Sequence, residues 1–369
     1  MKKKRVAVVC YDMQWRGVQQ TQKRLAASLV DLGYQVDLVL VNAVGPLMED
    51  LPQSVDVFDL EASSAKKALP GLVKYFKKRR PLGVLASEDH VNCMVIIATR
   101  LVSPNTKVSI SCHVSPSTWL SDATSPFKKE WWVKLAIKAL YPMANQCVLL
   151  SQKMAFEYRS EVGLKGLNFK VIPNPVAPRD NEVALPPHRW LSEDKSVRIE
   201  PVIIAVGALS RLKNFSLLVS AFSLLNKQKK SKLIIIGEGP KRKELENQIK
   251  LEGLVSSVEL VGFQSKPMSF MAHADMLVMS SLSEGFGNVL IEAMAAACPI
   301  VSTRCGGGVE EILADGKYGE LVEINNPEAL AAAMARTLDQ PIQPNVLIKA
   351  SRRYDPLEIT SRYMQGLGI

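Results

Sequence analysis

The chain has 369 residues, of which 47% are hydrophobic and 22% charged, which excludes a disordered protein and predicts two globular domains. No apolar run approaches about 18 residues, and the apolar segment after the basic residues 2–5 is short, so we expect a cytoplasmic protein with neither a membrane-spanning helix nor a secretory signal. The net charge of +10 lies wholly in residues 1–178, which hold 24 basic and 14 acidic residues, whereas residues 179–369 hold 22 of each. A basic half predicts an anionic partner: nucleic acid, acidic lipid headgroups or pyrophosphates.

Short apolar segments alternate with amphipathic helices along the first half of the chain. The spacing predicts a helix at 19–32. Strands are predicted at 6–10, 35–41, 84–86, 108–112, 148–150 and 171–172. Buried parallel strands have such continuous apolar runs, so the first half predicts a doubly wound α/β domain.

A proline-rich segment at 173–178, followed by polar sequence to about residue 200, is typical of a linker. Beyond it the alternation resumes, with helices predicted at 216–225 and 242–253. Strands are predicted at 202–206, 233–236 and 258–260. We therefore expect a first domain at 1–175, a linker at 176–200 and a second α/β domain at 201–352.

The segment 283–292 carries the most informative pattern in the chain. Glu284 and Glu292 flank a Gly-x-Gly turn and the first turn of an apolar helix that stops near Pro299. Glycines permit positive φ and close approach of backbone to a ligand, and the free N–H groups at a helix start attract phosphate. Carboxylates accept hydrogen bonds from paired hydroxyls. The pattern therefore predicts a diphosphate between two polyols, which is a nucleotide-sugar.

A capped helix with two surface glutamates is the alternative interpretation of this segment. Apolar runs at 275–280 and 298–303, which read as buried strands on either side, argue against it. Strand, glycine-rich loop, helix and strand form a βαβ unit, whose ligand lies at the carboxyl ends of the strands.

Several motifs in register make the second half resemble the donor domain of the retaining GT-B glycosyltransferases of family 4. They lie at 205–207, 212–215, 236–240, 261–263, 284–292 and 307–312. The first half matches loosely, through Gly17, His113 and 171–175. The resemblance implies the α/β GT-B fold, with two Rossmann-like doubly wound parallel-sheet domains facing a cleft, the first for the acceptor and the second for the donor. It also implies that a helix at about 353–369 completes the first domain.

The same resemblance implies a hexosyltransferase-type enzyme of polysaccharide or glycoconjugate biosynthesis. It would move a sugar from a nucleoside-diphosphate sugar, most commonly a UDP-sugar, to a hydroxyl of a glycan or lipid-linked acceptor, with retention of configuration. Glu292 would hold the ribose, Glu284 the transferred sugar, and His113 would assist at the anomeric centre.

Lys213 follows a predicted strand and is expected to reach the diphosphate. The family usually has an arginine directly after Gly207, where this chain has Ala208, and Arg211 is the candidate substitute. A solvated loop position is the alternative for Arg211. The other expected donor-binding residues are Gly17, Gly285, Phe286, Gly287, Asn288, Val289 and Leu290.

We expect no metal and no other cofactor. Lys213 and the helix amides would neutralise the diphosphate, and the sequence has no D-x-D motif and no metal-ligand spacing of its histidines. The six cysteines are scattered without a C-x-x-C and are expected to be reduced core thiols.

A helix predicted at 127–138 would place Trp131, Lys134 and Lys138 on one face, and a basic run lies at 74–80. Tryptophan with lysine is typical of a membrane interface, so we expect peripheral contact with an anionic membrane at its cytoplasmic face. Ordinary surface helices with buried aromatics are the alternative.

Two other functions fit parts of the sequence. A nucleotide-sugar epimerase could use the same two-domain architecture. Within the transferase interpretation, His90 at another strand end is a weaker candidate for the acceptor site. A nucleic-acid-binding protein would explain the basic half, but that half has no RNP, helix-turn-helix or KH signature. We therefore expect no nucleic-acid partner.

Overall fold

The computed structural model describes residues 4–116, 125, 127–167, 169–176, 188–192, 195 and 197–369. The chain divides into two compact units, of which unit 1 comprises residues 1–176 and 354–369, and unit 2 comprises residues 177–353. Most of the linker predicted at 176–200, including Pro178, lies outside the described residues.

In the described part of unit 1, seven parallel strands form one sheet in the order β3-β2-β1-β4-β5-β6-β7. The strands are β1 Arg5–Cys10, β2 Gln35–Leu40, β3 Val55–Asp59, β4 Gly83–Ser87, β5 Lys107–Cys112, β6 Gln146–Leu149 and β7 Phe169–Val171. The helices are α1 Gly17–Asp31, α2 Leu69–Arg79, α3 Asp89–Val102, α4 Lys129–Leu140, α5 Gln152–Ser160 and, from the end of the chain, α13 Pro356–Leu367.

In the described part of unit 2, six parallel strands form a second sheet in the order β10-β9-β8-β11-β12-β13. The strands are β8 Val202–Val206, β9 Lys232–Ile236, β10 Val258–Gly262, β11 Met276–Met279, β12 Ile300–Thr303 and β13 Glu320–Val322. The helices are α6 Phe215–Gln228, α7 Arg242–Leu251, α8 Pro267–His273, α9 Asn288–Ala295, α10 Val309–Ile312, α11 Pro327–Asp339 and α12 Pro344–Ser351.

The two doubly wound parallel sheets confirm the predicted fold class. The strands predicted from apolar runs are present with bounds shifted by one or two residues. The pattern missed β3 and β13, which close one edge of each sheet. The strand β3 exposes Asp56 and Val57, and β13 has only three residues, of which the first is Glu320, so neither strand has a continuous apolar run.

Each unit has its own core. In unit 1, Ile359 and Tyr363 of α13 are buried with Val8 of β1, so the end of the chain is part of the first unit. In unit 2, Phe222 of α6 packs with the buried side of β8 and β9. All six cysteines are buried, as expected of core thiols. Among the described residues, no helix has the length and apolar character needed to cross a membrane.

Candidate active site

Three loops at the carboxyl edge of the unit 2 sheet hold the predicted motif residues: 207–214 after β8, 280–287 after β11 and 304–308 after β12. Hydrogen bonds join the first two. The Leu282 amide donates to the Leu212 carbonyl over 2.7 Å, and the Ser280 hydroxyl donates to the Lys213 carbonyl over 3.0 Å. The backbone of Lys213 is therefore fixed by the loop that carries the predicted carboxylate.

Lys213 and Glu284, predicted separately from the sequence, form an ion pair. The Lys213 Nζ lies 2.5 Å from Glu284 Oε1, and the Ser281 hydroxyl donates to the same oxygen over 2.6 Å. The two side chains are 24% and 12% exposed. The lysine stem crosses Gly207, where an added Cβ would lie 3.1 Å from Lys213 Cε. Gly207 therefore gives the lysine its path to Glu284.

The start of α9 supplies backbone groups. Gly287 is its N-cap residue with a φ of 105°, and no side chain at this position caps the helix. The sequence offered both glycines of the turn for positive φ, but Gly285 does not use it. Asn288 and Val289 are half-buried in the first turn, and Glu292 is half-buried one turn further on.

The side chains of two predicted donor-binding residues are buried in the core of unit 2. Leu290 is fully buried, and Phe286 is 6% exposed. An added Cβ at Gly308 would lie 2.5 Å from Phe286 Cδ2, so the aromatic ring lies against this glycine. Phe286 and Leu290 therefore have only backbone groups to offer a ligand.

The loop after β12 supports the loop that holds Glu284. Gly307 has a φ of 67°, and an added Cβ would lie 2.3 Å from the Glu284 carbonyl oxygen. The Thr303 hydroxyl donates to the Ser281 carbonyl over 2.6 Å. The sequence interpretation missed Ser281 and Thr303, although a hydroxyl residue at the end of a buried strand was the available signal.

The remaining predicted residues are Arg211 in unit 2 and Gly17 and His113 in unit 1. Arg211 is exposed on the same short 3₁₀ turn as Lys213 in unit 2. In unit 1, Gly17 is exposed at the first position of α1. His113 follows β5, and its Nε2 lies 3.0 Å from the Ser111 hydroxyl. Burial lowers the pKa of His113 to about 4, so the imidazole is neutral at neutral pH.

The face of α4 differs from the prediction. Ile137 is buried, whereas Trp132 is 58% and Leu135 46% exposed. At about 100° per residue, Trp132 and Leu135 lie about 140° and 160° from Ile137, and Lys134 only about 60°. Trp131 and Lys134 are half-buried, so the exposed aromatic residue is Trp132 and not Trp131.

Within the part of the chain that the structure describes, no three His, Cys, Asp or Glu side chains come together in a way that could hold a metal ion.

Two sequence families match the two halves of the chain. "Glycosyl transferases group 1" matches residues 191–354, and "Glycosyltransferase Family 4" matches residues 15–180.

Curated relatives match most of the chain. One from Campylobacter jejuni, N-acetylgalactosamine-N,N'-diacetylbacillosaminyl-diphospho-undecaprenol 4-alpha-N-acetylgalactosaminyltransferase, is 28% identical over 331 residues, which cover 86% of each chain. The amylovoran biosynthesis glycosyltransferase AmsD of Erwinia amylovora is 27% identical over 319 residues, 86% of this chain and 85% of the relative.

A solved structure supports the fold. Anabaena Alr3699/HepE in complex with UDP has a TM-score of 0.77 and 19% identity, with 99% of both chains covered. At this identity the likeness concerns the fold alone.

The close approach of Gly307 to Glu284 predicts that Gly307→Ala destabilises the protein more than Gly253→Ala. Both glycines have positive φ, at 67° and 70°, but an added Cβ at Gly253 meets nothing within 4 Å. We expect Gly307→Ala to lose about 1–3 kcal/mol more of the free energy of unfolding, as overpacking does. Denaturant unfolding of both variants measures this, and equal losses would show that the two loops are not in close contact.

Proposed function

This chain is a glycosyltransferase of family 4 (glycosyl transferases group 1) with the GT-B fold, and we propose that it moves a sugar from a UDP-sugar to a hydroxyl of a lipid-linked glycan acceptor with retention of anomeric configuration. The observation that carries the proposal is the Lys213–Glu284 pair at the uncapped start of α9. It combines a cation for the diphosphate with a carboxylate for sugar hydroxyls.

We assign the diphosphate to Lys213 and the first amides of α9. Glu284 neutralises Lys213, so a diphosphate that binds the ammonium group competes with this carboxylate. Displaced from the lysine, Glu284 would be available to accept hydrogen bonds from the transferred sugar. Donor binding would thereby couple phosphate recognition to sugar recognition at a single residue pair. Glu292, one turn into the helix, would take the ribose hydroxyls.

Catalysis in this proposal depends mainly on electrostatic stabilisation of the departing diphosphate. Lys213 and the α9 amides would face the negative charge that grows on the leaving group. His113 would assist at the anomeric carbon as a neutral group, because its pKa lies near 4. A neutral imidazole does not oppose the positive charge that develops on the sugar ring.

The relatives support the finer parts of the proposal. The Anabaena structure contains UDP, and the name of the Campylobacter relative specifies a sugar attached to diphospho-undecaprenol. A UDP-sugar donor and a lipid-linked acceptor follow by analogy. The decisive assay is release of UDP coupled to growth of an acceptor. Interconversion of two donor epimers without any acceptor would instead indicate an epimerase.

One prediction of this proposal separates the roles of Glu284 and Glu292. Glu292→Ala should weaken binding of UDP by about 1–3 kcal/mol, because charged hydrogen bonds to the ribose are lost. Glu284→Ala should leave UDP binding unchanged or tighter, because Lys213 loses its neutralising partner, while turnover falls. Calorimetry with UDP measures both affinities, and equal losses in the two variants would contradict the assignment.

A second prediction concerns metal. Because we assign charge neutralisation to Lys213 and the α9 amides, transfer should continue at an unchanged rate in excess EDTA. Initial rates with and without EDTA, then with added Mg²⁺ or Mn²⁺, measure this. Loss of activity that either cation restores would show that a metal carries the diphosphate.

We further propose that unit 1 docks on an anionic membrane at the cytoplasmic face. Lys74, Lys77 and Lys78 are exposed on α2 and make no ion pair within the described part of the chain. Arg79 differs, since Asp37 and Asp56 hold it. Trp132 on α4 adds an exposed aromatic group of the kind that enters lipid interfaces.

The membrane proposal predicts that Lys77→Glu with Lys78→Glu weakens binding to phosphatidylglycerol vesicles. Each lysine near an anionic surface contributes about 1 kcal/mol, and salt screens it. The matched control is Lys243→Glu with Lys250→Glu, which makes the same charge change at exposed positions of α7 in unit 2. Vesicle sedimentation at two salt concentrations measures binding. Equal losses in both double variants, or none in the first, would contradict docking through α2.

A further inference from the structure

Glu88 has an unfavourable backbone conformation at the end of a buried strand. It follows β4 and precedes α3, with a φ of 73° and a ψ of 122°. These angles lie outside the left-handed helical region and suit glycine, so a residue with a Cβ costs stability here. A glycine would make the same turn without this cost. The glutamate side chain must therefore contribute something that the turn itself does not need.

Neighbouring groups hold the Glu88 carboxylate in place. Oε2 accepts a hydrogen bond from the backbone N–H of Tyr11 over 3.2 Å, and Oε1 lies 3.5 Å from the side-chain Nε2 of Gln19. Gln19 is fully buried, and its Oε1 finds no hydrogen-bond partner among the described residues. An unmatched buried acceptor is a second cost in stability at the same place. A carboxylate has about four acceptor sites, so the two contacts leave capacity for a ligand.

The topology of unit 1 makes this position a binding edge. In the sheet, β1 lies between β2 and β4, so the strand order reverses there. Tyr11 follows β1 and Glu88 follows β4, both at the carboxyl ends. Ligands of open parallel sheets bind outside the carboxyl ends at such a switch point.

The groups around Glu88 fit a sugar. The half-buried Tyr11 ring meets the exposed His90 ring edge to face, with centroids 5.6 Å apart. Arg16 is exposed and paired with Asp12. A carboxylate with spare acceptor sites beside polar neighbours can accept hydrogen bonds from the hydroxyls of a sugar ring.

We propose that Glu88 binds a hydroxyl of the acceptor sugar and so determines acceptor specificity at the β1–β4 switch point. This rests on the proposed transferase function. The side chain acts as a hydrogen-bond acceptor from that hydroxyl, and Tyr11 and Gln19 fix its direction.

The test compares Glu88→Gly with Glu61→Gly. Both replace a glutamate that has positive φ, and Glu61, with a φ of 49°, is exposed in the same unit. Rates are measured with methyl hexosides and their monodeoxy analogues as acceptors. Wild type and Glu61→Gly should discriminate against one deoxy analogue by about 10- to 100-fold, the loss of a charged hydrogen bond. Glu88→Gly should remove this discrimination while the melting temperature stays equal or rises.

Acid pH gives a second readout through Glu88→Gln. Burial raises the pKa of Glu88, which faces Asp12, Arg16 and Cys10. Protonation removes an acceptor site, so wild-type kcat/KM for the acceptor should fall on acidification at a higher pH than an ordinary glutamate would cause. Glu88→Gln cannot titrate and should lack this limb.

The controls distinguish failure of this inference from failure of the proposed function. Hydrolysis of UDP-sugar without acceptor should be unchanged in Glu61→Gly, and the same assay is run on wild type and on both Glu88 variants. If hydrolysis is intact and Glu88→Gly still discriminates between the acceptors, the assignment of Glu88 is overturned. A fall in melting temperature together with loss of hydrolysis would make Glu88 structural and overturn it too. Absence of hydrolysis and transfer in wild type would instead overturn the proposed function.

Discussion

The parallel direction of every described strand is the constraint on which both units depend. Parallel strands need crossover connections, so all their carboxyl ends, and the loops that follow them, meet at one edge of each sheet. This brings Lys213 after β8 and Glu284 after β11 within 2.5 Å although 71 positions separate them. The same constraint brings Tyr11 after β1 to Glu88 after β4. The apolar cores fix the strands, and the strands fix where polar side chains can meet.

The strands could be predicted from the sequence where both of their faces are buried. Central strands such as β8 are apolar throughout because helices cover both sheet faces, and their runs gave correct positions. The edge strand β3, where Val55 is buried and Asp56, Val57 and Asp59 are exposed, gave no such run. For α4 the sequence did not settle which side faces the core, because periodicity alone does not say so. The burial of Ile137 decides that, and it exposes Trp132.

The candidate site was predictable as a set of residue types but not as a set of contacts. Glu284 and Lys213 were identified separately, yet nothing in their spacing indicated an ion pair. The pair depends on the missing Cβ of Gly207 and on the Ser280 and Leu282 hydrogen bonds, which are tertiary features. The sequence indicated His90 and not Glu88 as an acceptor-site candidate, because it does not show which non-glycine residue has positive φ. Such strain appears only once the surrounding structure is known.

Glu284 and Glu88 are held by different kinds of partner, and this suits them to different tasks. Glu284 is balanced by a full cation, so its availability depends on what else binds Lys213. The Glu88 carboxylate is held by neutral N–H donors, and burial raises its pKa. A ligand therefore does not have to displace a charged partner to reach its acceptor sites. A switchable carboxylate fits a donor that arrives with its own negative charge. A permanently oriented carboxylate fits a neutral hydroxyl, whose hydrogen bond is gained in full only where the acceptor is already fixed in direction.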